Sequence, residues 1–321
     1  MADDSLDAVA VRAIQTSPSL GLPAIGTGLI GLITLLAIAV PCLVTLPWSL
    51  SYYDVQRLEG DVALAPPSLA EPMGTDLLGR SVLWRCLLGG AVSLSIGASA
   101  AGIAVVIGVL WGAWSGYAGG RVDSAMMRVV DVLYGLPYIL LVVLLDIALQ
   151  PAFEKVALRI LGPNAASGVA QVATLLIAIG AVSWLTMARV IRGQVLSLRT
   201  QPFVEAARAC GAGPLWVVRC HMLPNLVGPI IVYTTLTVPA AILQESFLSF
   251  LGIGVQAPLP SWGNLATEGL DELHAFGQTG MQVRWWLIVW PCTLLGLVLL
   301  SLNLLGDALR NRLDPKYTSH K

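Results

Sequence analysis

The sequence predicts an all-α polytopic membrane protein with six transmembrane helices. Two observations carry that prediction. Of 321 residues, 56% are hydrophobic and only 12% charged, about half the ~25% charge of a soluble domain, and the mean hydropathy is +0.78. The apolar residues also fall into charge-free runs, each close to the ~20 residues that a helix needs to cross a bilayer with its backbone polar groups satisfied internally.

The runs place spans near 25–47, 90–114, 129–149, 169–190, 226–247 and 285–306. The first follows an acidic N-terminus (Asp3, Asp4, Asp7) and is too long for a signal-peptide core, so it reads as an uncleaved anchor. The third is interrupted only by Asp146. One further charge-free stretch, Ser246 to Thr267, holds Gly252, Gly254, Pro258, Pro260 and Gly263 and is expected to be a loop or re-entrant turn on the outer face. Segments 150–168 and 268–284 are expected to be long outer loops. On this reading the chain divides into 1–89 (tail, first span and outer loop) and 90–321 (a core of five spans).

The 18 Lys and Arg divide twelve to six between the two sides. The richer side holds both termini, which the positive-inside rule places in the cytoplasm. Trp48, Trp84, Trp114, Trp184, Trp285 and Trp286 fall near predicted span ends, as interfacial aromatics do. In the second span Ala100, Ala104, Gly108, Gly112, Gly116 and Gly120 recur at every fourth position, a stripe that lets helices approach closely. Asp146 and Glu245 lie near outer span ends; they are candidates for the transport path or for pairing with Arg159 or Arg284.

Several function classes fall away. A net charge of −1 offers no basic field to nucleic acid. The five cysteines have no paired spacing that would indicate disulfides or zinc, and three scattered histidines, with no HExxH or GxSxG, give no catalytic or metal constellation. Gly74-x-x-x-x-Gly79-Arg80-Ser81 mimics a phosphate loop but follows a Pro-rich segment rather than a strand.

The inner segment 203–225 is the most informative. Phe203 to Gly211 and Pro214 to Asn225 read as two short helices joined by a glycine bend. Phe203, Ala206, Ala207 and Cys210 share one face of the first, and Leu215, Val218 and Met222 one face of the second; Glu205 and Arg208 are spaced to pair. Composition alone also allows an interfacial loop with no partner. Its letters go further: Glu205-Ala206-Ala207-x-x-x-Gly211 followed by His221-Met222-Leu223-Pro224-Asn225 resembles the EAA loop of ATP-binding-cassette importer permeases, and the histidine resembles the dipeptide and oligopeptide branch.

Three more stretches resemble the C-type transmembrane subunit of the dipeptide, oligopeptide and nickel family. They are Gly74-Thr75-Asp76-x-x-Gly79-Arg80; Ser249-Phe250-Leu251-Gly252-x-Gly254-Val255-Gln256 with Pro260-Ser261-Trp262-Gly263-Asn264; and Asn303-Leu304-Leu305-Gly306-Asp307-x-Leu309-Arg310 with Leu313-Asp314-Pro315. Ser81 departs from the family's usual Asp, and Asp131 and Pro137 match positions where a kink suits the third span.

The resemblance implies the type I ABC importer permease fold in a bacterial or archaeal cytoplasmic membrane. Its expected partners are a second permease subunit, two ATP-binding subunits and an extracytoplasmic solute-binding protein, with ATP on partner chains and no cofactor in this one. It assigns Glu205, Ala206, Ala207, Arg208, Gly211, Leu223 and Pro224 to coupling with the ATPase, and implies peptide import by alternating access. Nickel or another peptide-like solute is the alternative cargo. A stand-alone secondary transporter, which should show inverted repeats, and a structural scaffold are the alternatives of other classes.

Overall fold

The computed structural model describes residues 24–44, 63–257, 259–279 and 284–313. Arg12, Trp48, Arg57, Pro258, Asp314, Pro315, Lys316, His320 and Lys321, with the acidic N-terminus and residues 45–62 of the outer loop, lie outside them. The order is α1 (Ala24–Val44), α2 (Val82–Ala118), α3 (Gly120–Tyr134), α4 (Tyr138–Leu161), α5 (Pro163–Arg199), α6 (Pro202–Ala209), α7 (Pro214–Val217), α8 (Leu223–Phe250), α9 (Trp262–Thr279) and α10 (Trp286–Leu313). Among the described residues the only extended pairing is an isolated bridge between Thr75 and Ser81.

Five stretches are long and apolar enough to cross a membrane: Gly26–Val44, Val82–Ala118, Ser167–Arg199, Pro214–Phe250 and Trp286–Arg312. The expected third span, 129–149, is two helices. α3 and α4 meet at a 93° bend and qualify as a span only together; α4 has 24 residues, but Asp146, Glu154 and Lys155 interrupt its apolar run. Pro137 forces the break, since it cannot continue the ladder of α3 and holds Leu136 out of helical geometry.

Two expected loops are helical. Segment 150–168 is the end of α4 and the start of α5, separated by Gly162 alone, whose φ of +78° makes the reversal. Within the stretch Ser246–Thr267, α8 continues to Phe250 and α9 starts at Trp262, then runs for 18 residues into the segment 268–284. The π-helical turn Val218–Met222 joins α7 to α8, making one rod of 37 residues from Pro214 to Phe250. Pro224 has no N–H to offer its i−4 carbonyl, and the ladder slips so that Leu223 N–H reaches Val218 O. The second half of the expected hairpin is therefore the base of a span.

The bundle is built on α2 against α5, with α4 on the other side of α5, α8 between α2 and α10, and α1 against α10. The small-residue stripe explains the first pair. Ala100 and Ala104 are fully buried. A Cβ on Gly108 would lie 2.5 Å from Met187 Cβ, one on Gly116 2.9 Å from Val195 Cβ, and one on Gly112 would overlap the Ala188 carbonyl. Gly120 lies beyond the helix with nothing near it and is not part of the stripe. Trp184, expected at a span end, packs mid-helix against Trp111 with ring centroids 5.1 Å apart.

Candidate functional site

At the hairpin end of the bundle, α6 begins on Pro202 and closes in a Schellman turn. Ala212 N–H reaches Ala207 O at 3.0 Å and Gly211 N–H reaches Arg208 O at 2.9 Å. Gly211 makes this possible at φ +83°, where a Cβ would be strained. Val204 is buried against Val217 and Met222 and fixes the helix to the bundle.

The opposite face stays open. Phe203, Ala206, Ala207, Cys210, Trp216 and His221 line an apolar groove of ≈ 760 Å³. His221 sits between the rings of Phe203 and Trp216, with centroids 6.1 and 4.9 Å away. The face expected on the first helix thus forms. On the second, Val218 and Met222 are buried but Leu215 is 70% exposed, because the continuous rod turns Val217 inward instead.

Of the residues marked for coupling, Ala206, Ala207 and Gly211 line the groove. Glu205 is exposed beside it, and the expected Glu205–Arg208 pair is absent among the described ion pairs. Arg208 lies over the Tyr117 ring at 4.9 Å. Leu223 packs into the local core and Pro224 sets the π turn.

Charged groups brace the hairpin end. Arg192 donates two 2.6 Å hydrogen bonds to Asp123, which also accepts one from the Ser115 hydroxyl, so α2, α3 and α5 meet in one cluster.

At the far end, the Gly74–Arg80 motif folds around Asp76. One carboxylate oxygen accepts Leu78 N–H at 2.9 Å and Arg80 N–H at 2.8 Å; the other accepts Arg80 Nε at 2.7 Å and Arg85 Nη1 at 2.8 Å. Thr75 Oγ1 accepts Ala65 N–H, and the Thr75 carbonyl accepts Trp286 Nε1. Gly79 N–H reaches the Asp76 carbonyl, and a Cβ on Gly74 would lie 2.7 Å from Ala65 O. The loop's donors at Leu78 and Arg80 are directed to its own aspartate, so the phosphate-loop mimicry ends in a cross-linked turn.

The second far-end motif is also a packing device. Trp262 is fully buried and its Nε1 donates to Cys86 O at 3.0 Å; Gly263 lies against the Ser246 carbonyl; Ser261 N–H reaches Asn264 Oδ1 at 2.8 Å; Pro260 leads into this turn.

Neither candidate acid pairs with Arg159 or Arg284. Glu245 is fully buried and accepts hydrogen bonds from Ser249 (2.8 Å) and Ser246 (3.2 Å), with Ser93 and Ser261 also reaching it. It joins α2, α8 and the start of α9. Asp146 is buried near Thr174, and its Oδ1 has no hydrogen-bond partner among the described residues. Arg284 instead bridges to Glu272. Sequence reasoning missed this bridge, the Arg85–Glu268 pair, the Asp123–Arg192 pair and the Tyr138–Gln244 hydrogen bond.

The described geometry has known counterparts. The chain is 41% identical over 267 residues to the dipeptide transport system permease protein DppC of Bacillus subtilis, covering 83% of this chain and 75% of that one. It is 38% identical over 295 residues to the oligopeptide transport system permease protein OppC of the same organism, covering 92% and 86%. In fold it is similar to a chain of the MetNI methionine ABC transporter, with a TM-score of 0.50 and 19% identity over 72% of this chain and 97% of that one. Residues 108–319 match the model of the family described as binding-protein-dependent transport system inner membrane component, and to that family of multi-pass transporter subunits this chain belongs.

Proposed function

We propose that this protein is one of two transmembrane subunits of an ATP-driven importer of dipeptides or oligopeptides. The observation that carries the proposal is the apolar groove between Phe203 and Trp216, formed at the base of the rod Pro214–Phe250 in a chain with peptide-permease relatives.

In this reading the hairpin end and both termini face the cytoplasm, in keeping with the distribution of Lys and Arg. The hairpin is held in a groove of an ATP-hydrolysing partner, which packs against this apolar face. Ala206, Ala207 and Gly211 form its floor and bend, and Glu205 and Arg208 flank it. The partner's closure on ATP is carried by α8 to the far end, where α9 and the Asp76 turn receive a solute-binding protein. ATP is bound by partner chains, and this chain contributes no cofactor.

The experiment is affinity purification of the tagged chain, in mild detergent, co-expressed with candidate ATPase, second permease and solute-binding subunits. Glu205→Arg and Gly211→Pro run beside the wild type, followed by peptide uptake in proteoliposomes. Release of the ATPase by both substitutions, with ATP-dependent uptake by the wild type, is the expected result. A chain that purifies alone and transports without ATP would overturn the proposal.

A further inference from the structure

The bend between α3 and α4 opens onto a cavity of ≈ 550 Å³, within the ~300–1,000 Å³ range of small-molecule sites. Ser183 and Thr186 contribute from the middle of α5, Tyr134 and Tyr138 from the two sides of the bend, and Thr237 and Gln244 from α8. The cavity therefore lies midway along the bundle, bounded by the rod that starts in the groove. An interrupted helix at such depth is tolerated where it is enclosed by protein or lines a wet cavity, and broken helices border the midplane sites of transporters.

The lining chemistry is selective in what it omits. No Asp, Glu, Lys, Arg or His is among the described lining residues. The nearby charges are neutralised or turned away. Arg189 bridges to Asp131 at 2.9 Å while lying over the Tyr134 ring at 4.0 Å, and Glu245 points into its serine cluster. What the cavity offers is hydroxyls and one carboxamide. The Tyr138 hydroxyl donates to Gln244 Oε1, linking the broken span to the rod.

We propose that this cavity is a neutral transit chamber for the main chain of a peptide, resting on the import reading above. Tyr138 and Gln244 exchange their mutual hydrogen bond for bonds to peptide amides. With no ionic partner to hold a cargo side chain, the chamber passes acidic, neutral and basic peptides alike, and it holds none of them tightly. Charge selection, where it occurs, belongs to an earlier step.

The test is competitive uptake of Ala-Glu-Ala and Ala-Lys-Ala by the complete importer in proteoliposomes, expressed as the ratio of the two in one preparation. Four variants are compared with the wild type: Gln244→Glu, Gln244→Lys, Thr186→Glu and Thr186→Lys. Thr186 is exposed to the cavity and accepts either charge without burying it. A glutamate at either position should shift the ratio about tenfold toward the basic peptide, and a lysine about tenfold toward the acidic one. Loss of folding lowers both uptakes together and cannot reverse the sign. Ratios equal to wild type at Thr186 would overturn the chamber and leave peptide import standing. A wild-type complex that takes up neither peptide would overturn both.

Discussion

Arg85 and Glu268 are 183 residues apart in sequence and meet through two hydrogen bonds of 2.5 and 2.8 Å. Arg85 also donates to Asp76, so one buried guanidinium ties the far-end turn, the first turn of α2 and α9 together. Such a pair is weak evidence for net stability, yet breaking it is costly because a charge is left buried.

Arg85→Met is therefore expected to destabilise the protein by about 1.5–3 kcal/mol, since Asp76 loses one of its two guanidinium partners and keeps only Arg80. Glu268→Gln should cost much less, because the Glu268 side chain is 43% exposed and water replaces what is lost. Thermal melts in detergent would show the order; equal losses would contradict it.

Glycines of α2 should divide by what they face. Gly112→Ala drives a methyl into the Ala188 carbonyl and is expected to cost about 1–3 kcal/mol. Gly102→Ala, with nothing within 4 Å, should be neutral or stabilising by up to about 1 kcal/mol through helix propensity. The same melts check both.

The Asp123–Arg192 pair ties α2, α3 and α5 together at the hairpin end. Asp123→Asn leaves the Arg192 guanidinium facing a neutral amide and should lower the melting temperature in detergent by more than Glu268→Gln does. A loss no larger than that of Glu268→Gln would remove the pair as a brace.

Glu245 should tolerate Gln better than Ala. A carboxamide oxygen still accepts from the surrounding serines, whereas Ala leaves buried hydroxyls without a partner at about 1–3 kcal/mol. Yield and melting temperature of the two variants decide it.

Trp216 is 52% exposed on the groove. Trp216→Ala should leave the melt nearly unchanged and reduce ATPase-subunit capture by about tenfold or more, as for an aromatic anchor at an interface. Capture at the wild-type level would detach the groove from coupling.

What the sequence disclosed followed the range of the forces involved. The spans were legible because burial in lipid imposes a continuous apolar run, and the groove face was legible because Phe203, Ala206, Ala207 and Cys210 lie within a single helix. Pro137 marked the kink, but the size of the bend depends on packing of α4 along α5. The helix α9 was missed because Pro258, Pro260 and Gly263 signal a turn, while its stability comes from Trp262 lodged beneath Cys86 and from Glu268 on Arg85. The Glu205–Arg208 spacing was suitable for pairing, yet the Tyr117 ring from α2 takes the guanidinium. Contacts across more than a hundred residues leave no local pattern to read.

The π turn has a mechanical consequence. At 1.5 Å per residue, the 28 residues of α8 beyond that turn extend about 42 Å, so a tilt of about 5° there would sweep the Phe250 tip sideways by about 4 Å. The slip at Pro224 is the irregular point at the foot of that arm, and one proline thereby sets where the arm begins.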